Sequence, residues 1–325
     1  MALNQLIKTE QHPRRGLLAL EWLILAYIVL TLGMMTWNCG SLQNTEAMLL
    51  GRVRIATAII ALWAAYRLWP CRLTMALRVF VQLALLGWWY PDTYELNRSL
   101  PCLDHLFAQA EQNLFHCQPA LVFHEVAPWP LLSELLDYGY VSYYPMMVAV
   151  LLVFFFRRYQ EFTRCAFILI GSFFLYYIIF DLLPVVGPTY YFQAIGIDNV
   201  REGVFPALGS YFDTHNDCMV VPGCTSGSGY WLVEIAKMAG ERPTAAFPSS
   251  HVGVATICMF LLYYLRSQRL FLVILPFYVC LCLATVYIQA HYVIDAIAGL
   301  LTGVAFYYLL FFLSSFFERT AHSAE

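Results

Sequence analysis

Thr163-Arg164-Cys165-Ala166-Phe167-Ile168-Leu169-Ile170-Gly171-Ser172-Phe173-Phe174-Leu175-Tyr176-Tyr177-Ile178-Ile179-Phe180-Asp181-Leu182-Leu183 is apolar almost from end to end, and Pro184 closes it. About 20 such residues, wound as a helix, cross roughly 30 Å of hydrocarbon. Stretches of the same kind recur at 17–36, 52–69, 74–90, 141–156, 249–265, 270–290 and 292–313. The fold class expected is therefore all-α, a polytopic membrane helix bundle of about eight transmembrane helices. Composition agrees: 61% of the 325 residues are hydrophobic and 12% charged, against about 25% charged in an average soluble domain. A formal net charge of -3 and the lack of any long Lys or Arg run exclude nucleic acid as a partner. The bilayer is the expected one.

The basic residues orient the bundle. Lys8, Arg14 and Arg15 precede the first stretch; Arg67, Arg72 and Arg78 surround the turn after the second; Arg157, Arg158 and Arg164 follow the fourth; Arg266 and Arg269 follow the sixth. With eight spans all four clusters fall on one side, which the positive-inside rule makes cytoplasmic. Both termini are then cytoplasmic, and the long loops 91–140 and 184–248 lie on the other face. Arg52 and Arg54 break the pattern. The apolar run 17–35 behind Lys8 is too long for a signal-peptide core and no small-residue cleavage site follows it, so a retained first span is expected. Leu131, Leu132, Leu135 and Leu136, behind Pro128-Trp129-Pro130, suggest a short interfacial helix roofing a lipid-facing cavity. Of ten Cys, those at 102, 117, 218 and 224 lie in the outer loops, where Cys102–Cys117 and Cys218–Cys224 pairs or four free thiols are equally consistent with the spacing. No cluster has metal-ligand spacing, so neither metal nor cofactor is expected.

Two short stretches carry chemistry: Ala246-Phe247-Pro248-Ser249-Ser250-His251 and His291-Tyr292-Val293-Ile294-Asp295. In this topology both reach the outer face. His291 and Asp295 are four apart and share a helix face, which lets the carboxylate accept a hydrogen bond from one imidazole nitrogen, fixing the tautomer and making the other nitrogen more basic. A phosphate ester needs a nucleophile, an acid for the departing oxygen and positive charge around its oxygens. The histidines supply the first two. Arg242 or Lys237, with backbone N–H groups where Ser249 and Ser250 open a helix, are candidates for the third.

Pro248-Ser249-Ser250-His251 followed by His291-x-x-x-Asp295 resembles the last two signature motifs of the type 2 phosphatidic acid phosphatase superfamily, which includes lipid phosphate phosphatases and vanadium haloperoxidases. The resemblance spans about the last third of the chain. It implies His291 as a nucleophile forming a phosphohistidine, Asp295 as its orienting partner and His251 as general acid. Ala284-Thr285 stands where the phosphatases carry Ser-Arg. Arg242-Pro243 is separated from Pro248 by only four residues, and Lys237 is out of register for their first motif. The missing arginine is shared with the inositol phosphorylceramide synthase and sphingomyelin synthase branch, which Gln118-Pro119, Tyr140-Val141-Ser142-Tyr143-Tyr144 and Gly187-Pro188-Thr189-Tyr190-Tyr191-Phe192 also resemble.

On this basis residues 1–140 hold the N-terminal spans and first outer loop, and 141–325 the catalytic membrane domain. The expected activity is a membrane lipid phosphoesterase or phosphotransferase, of inositol phosphorylceramide synthase type or a simple lipid phosphate or prenyl diphosphate phosphatase. Its site would face the non-cytoplasmic side of the plasma (inner) membrane. His105, His116, His124 and His215 are expected to be structural, and Tyr287 and Tyr292 interfacial aromatics. Asp181 is either functional or a helix-end residue. A transporter or scaffold would explain the spans, but has no need of His251, His291 and Asp295 together.

Overall fold

A computed structural model describes residues 3–38, 40–238 and 242–323, the side chains of 3 and 317–323 excepted. The described residues form α-helices and no strand. A short α1 (Leu3–Ile7) precedes three long helices, α2 (Ala19–Trp37), α3 (Thr45–Leu68) and α4 (Arg72–Asn97). The first long connection folds as α5 (Asp104–Phe115), α6 (Pro119–Val126) and α7 (Pro130–Val141), and α7 turns through 48° into α8 (Tyr143–Arg157). After α9 (Phe162–Leu182), the second long connection holds α10 (Pro188–Ile195), α11 (Ile197–Glu202) and α12 (Ser228–Met238). α13 (Ser250–Tyr264), α14 (Gln268–Tyr287) and α15 (Val293–Ser323) complete the chain.

All eight expected stretches are helical, but six of these helices are long enough to cross a membrane, or seven if α7 and α8 make one bent span. α8 and α13 have 15 residues each, about 22 Å at 1.5 Å per residue, short of the roughly 30 Å of hydrocarbon. The segment expected as an interfacial roof is α7, which meets α8 at the 48° bend. Its Leu136 and Gly139 are buried while Leu131 and Leu135 face outward. α9, the apolar run 163–183, is the central helix, buried along nearly its whole length and packed on α2, α4, α8, α13 and α15.

The basic clusters do converge on one end. Glu10 accepts hydrogen bonds from Tyr66 and Tyr159 (2.6 and 2.5 Å), Arg157 reaches Ser267 (3.2 Å), and Arg78 pairs with Glu21 out of contact with solvent. The exceptions have their own explanation. Arg52 points into the bundle, bound to Asp92 and the Met48 carbonyl at 2.8 Å each, and Arg54 lies over the Trp88 ring. Asp181 is buried and accepts the Tyr27 hydroxyl at 3.3 Å. Neither of the two candidate disulfides forms. Cys102 is buried with its thiol 3.2 Å from Asp104, Cys117 is a free thiol, and so is Cys224.

At the opposite end the two long connections fold onto each other and onto the turn before α15. α13 and α15 approach backbone to backbone there. A Cβ on Gly299 would stand 2.4 Å from the Ser249 carbonyl oxygen, and one on Gly303 2.5 Å from that of Gly253. The Gly299-x-x-x-Gly303 spacing is the small-residue pattern that lets membrane helices touch. It brings the start of α13 against the start of α15.

Candidate active site

Ser249 caps α13, its hydroxyl accepting the Val252 N–H at 3.4 Å, while its own N–H donates to the Asp295 carbonyl at 3.0 Å. The two motif halves are thus bonded through backbone, and the rings of His251 and His291 lie 5.8 Å apart. Nδ1 of His291 is 2.8 Å from the Ala246 carbonyl oxygen. A carbonyl only accepts, so Nδ1 carries the proton and Nε2 keeps its lone pair. Asp295 does not accept that hydrogen bond. Its nearer oxygen is 3.7 Å from Nδ1, too far for a hydrogen bond, and accepts the Tyr292 N–H at 2.9 Å, while the other oxygen is buried without a partner. Four-residue spacing put the pair on one face, but the turn at 288–292 aims the imidazole at the neighbouring loop instead.

The histidines stand at the polar end of a cavity of about 650 Å³. Phe80, Leu83 and Gly87 of α4, Met147 of α8 and Phe173 and Tyr177 of α9 give it an apolar wall, while Lys237, Arg242, Thr244 and Ser250 join His251 and His291 at the polar end. Ser249 is buried outside this lining, its polar atoms used in capping and in the bond to Asp295. Thr285, at the place of the expected arginine, is buried and bonded within its own helix to the Cys282 carbonyl. Asp181, His105, His116, His124 and His215 line no part of the cavity. Among the described residues no group of three His, Cys, Asp or Glu could hold a metal ion.

A relay behind the ring had no sequence signal. Asp104 accepts from the N–H groups of Val186 and Gly187 (2.8 Å each) and from the Tyr292 hydroxyl (3.1 Å). Val185, next in line, takes the Ala246 N–H at 2.9 Å, and Ala246 in turn orients His291. Burial pushes the Asp104 carboxyl up, against four hydrogen bonds that pull it down. Gly187 belongs here because φ is +91° and a Cβ would stand 2.7 Å from the Ala290 carbonyl oxygen, a backbone state and a gap that only glycine accepts. Glu111 accepts the Ile294 N–H at 3.1 Å, at the positive end of α15. Burial raises its carboxyl to about 7. The deciding acceptor, Ala246, acts through its backbone, so its role has no residue-type signal although it opens the first of the two stretches.

A helical membrane bundle that ends a lipid-sized apolar cavity at two histidines has the layout of a membrane phosphoester enzyme. The family model described as the PAP2 superfamily matches residues 105–309, well over half of the chain, and the chain belongs to that superfamily. Membership supports an enzyme of the lipid phosphatase type, and the long apolar helices make it an integral membrane protein. Comparison with curated proteins and with solved structures finds no match in either.

Proposed function

We propose that the protein transfers a phosphoryl or phospho-headgroup group from a membrane lipid donor by way of a phosphohistidine on His291, with a lipid hydroxyl as acceptor, as in inositol phosphorylceramide synthases. The observation that carries this reading is the apolar cavity ending at the histidines. It gives a lipid chain a place to lie with its phosphate between the two rings, and an acceptor lipid a water-poor approach. Nε2 of His291 attacks phosphorus, the bond to the leaving oxygen breaks, and His251, as imidazolium, gives that oxygen its proton. The acceptor hydroxyl then attacks phosphorus, the P–N bond breaks, and the acceptor's proton passes to His251. Arg242, Lys237 and Ser250 offer charge and hydrogen bonds to the phosphate oxygens. Asp295, 3.7 Å from Nδ1, supports the positive charge of the phosphohistidine through space. The basic clusters at the far end favour a site on the non-cytoplasmic face of the plasma membrane.

The test is product analysis with purified protein, offering phosphatidic acid, a prenyl diphosphate, and a phosphoinositide with ceramide in parallel. A phosphoceramide product supports transfer. Release of inorganic phosphate from the first two substrates alone replaces the lipid acceptor with water, and turnover of none of them refutes the proposal.

A further inference from the structure

The ring of His251 is held by two tyrosines. Tyr140 lies in the last turn of α7 and Tyr143 opens α8, on either side of the 48° bend. The bend is pinned. Ser142 Oγ donates to the Gly139 carbonyl at 2.6 Å, and Gly139 sits so close to α14 that a Cβ there would stand 2.5 Å from Cβ of Cys280. Three residues apart, both tyrosines turn to the same imidazole. Tyr140 stacks on His251 at 4.8 Å between ring centres with the planes 19° apart, and Tyr143 lies at 4.4 Å and 37°. Among the described residues no hydrogen bond reaches the His251 ring, in contrast to His291 and its Ala246 carbonyl. A general acid has to deliver its proton along a defined line, so some other restraint must fix this ring. Aromatic faces within about 6 Å also attract a cation, which offsets part of the burial and of the His291 charge that hold His251 well below the ordinary imidazole range.

We propose that Tyr140 and Tyr143 are positioning residues for the acid. They clamp His251 with its proton-bearing nitrogen toward the leaving oxygen and steady its charged form between two π faces. The proposal rests on the reading of His251 as the general acid. The faces carry the clamp, and the Tyr143 hydroxyl adds nothing to it, since it is buried without a hydrogen-bond partner.

The experiment compares kcat for a lipid donor, whose alkoxide needs a proton, with kcat for a nitrophenyl phosphoester, whose leaving group does not. Tyr140→Leu is expected to lose roughly 10- to 100-fold on the lipid donor, part of the hundred- to ten-thousandfold that a general acid contributes, and under about threefold on the nitrophenyl ester. Its alkaline limb should move to lower pH, because a less stabilised imidazolium gives up its proton sooner. His291, Lys237 and Arg242, the other non-tyrosine titratable groups lining the cavity's polar end, are untouched by the substitution. Tyr140→Phe and Tyr143→Phe should keep both activities. Equal losses on both donors, an unmoved pH limb, or a phenylalanine variant falling as far as leucine would overturn the clamp. Tyr140 is half-buried, so its variant remains informative where Tyr143→Leu in the core fails to fold. His251→Ala, run alongside, separates the two ideas. A loss there that ignores the leaving group overturns the acid assignment itself, whereas a leaving-group-dependent loss with Tyr140→Leu unchanged overturns only the clamp.

Discussion

His291 donates its Nδ1 proton to the backbone carbonyl of Ala246, 45 residues earlier in the chain, at 2.8 Å. A backbone acceptor cannot be removed by changing a side chain, so the tautomer that leaves Nε2 without a proton persists when Asp295 is altered. Asp295→Asn is therefore expected to cost about 10- to 100-fold in kcat, through loss of charge near the phosphohistidine. That is well short of the roughly ten-thousandfold seen where the carboxylate itself sets the tautomer. Steady-state kinetics on a lipid donor decide it, and a ten-thousandfold loss would return the proton to Asp295.

His291→Ala should abolish both turnover and the trapping of labelled phosphoenzyme, because no P–N bond can form without its imidazole. His251→Ala should still trap phosphoenzyme from a nitrophenyl donor. The opposite pattern would exchange the two roles. Vanadate, which adopts the five-coordinate geometry of phosphate in transfer, should inhibit, and activity should survive EDTA.

The contact of α13 with α15 admits no side chain at Gly299 or Gly303. Gly299→Val pushes on the Ser249 carbonyl and should lower turnover at least about tenfold, with a stability loss of about 1–3 kcal/mol typical of overpacking. Gly33→Ala and Gly51→Ala, whose added methyl groups meet nothing, should leave turnover unchanged. Thermal unfolding in detergent, read beside activity, checks both.

Several of these outcomes concern features that could not be read from residue order, and the reasons are physical. Apolar length announces helices, and each of the eight stretches is one. Whether a helix crosses depends on where it stops, and α8 and α13 end after 15 residues. His251 and His291 stand out because two motif halves must meet to make them useful. Ser249-Ser250 before a helix fits either a cap or a phosphate cradle, and Ser249 caps. Asp104 and Glu111 lie far from the motifs in sequence and act on backbone N–H groups, which carry no residue signature.

Glu111 supplies a pH dependence. Its carboxyl is raised by burial from 4.5 to about 7 in the folded state, so the folded protein binds this proton more tightly than the unfolded chain does. The stability it contributes is complete below about 4.5 and is lost as pH rises through about 7. Thermal midpoints should fall between pH 5.5 and pH 8, and Glu111→Gln, which keeps an acceptor for Ile294, should reduce the slope. An unchanged slope in that variant would remove Glu111 from the account.

Orientation can be read with cysteines placed at exposed positions. Asn216→Cys lies in the second long connection and Arg269→Cys at the basic end. In intact cells an impermeant maleimide should add label to the first over the native thiols and not to the second. Label on Arg269→Cys alone would invert the bundle.

Phe80, Leu83 and Gly87 wall the cavity from α4, ahead of residues 105–309, which match the superfamily. Cutting the chain to its recognisable portion would keep every bond-breaking group and leave the chamber open along one flank. Part of the wall that meets a lipid tail is thus supplied from outside the portion that holds the reacting groups. A chimera carrying foreign N-terminal helices should inherit the donor's taste for lipid tails while its chemistry stays the same.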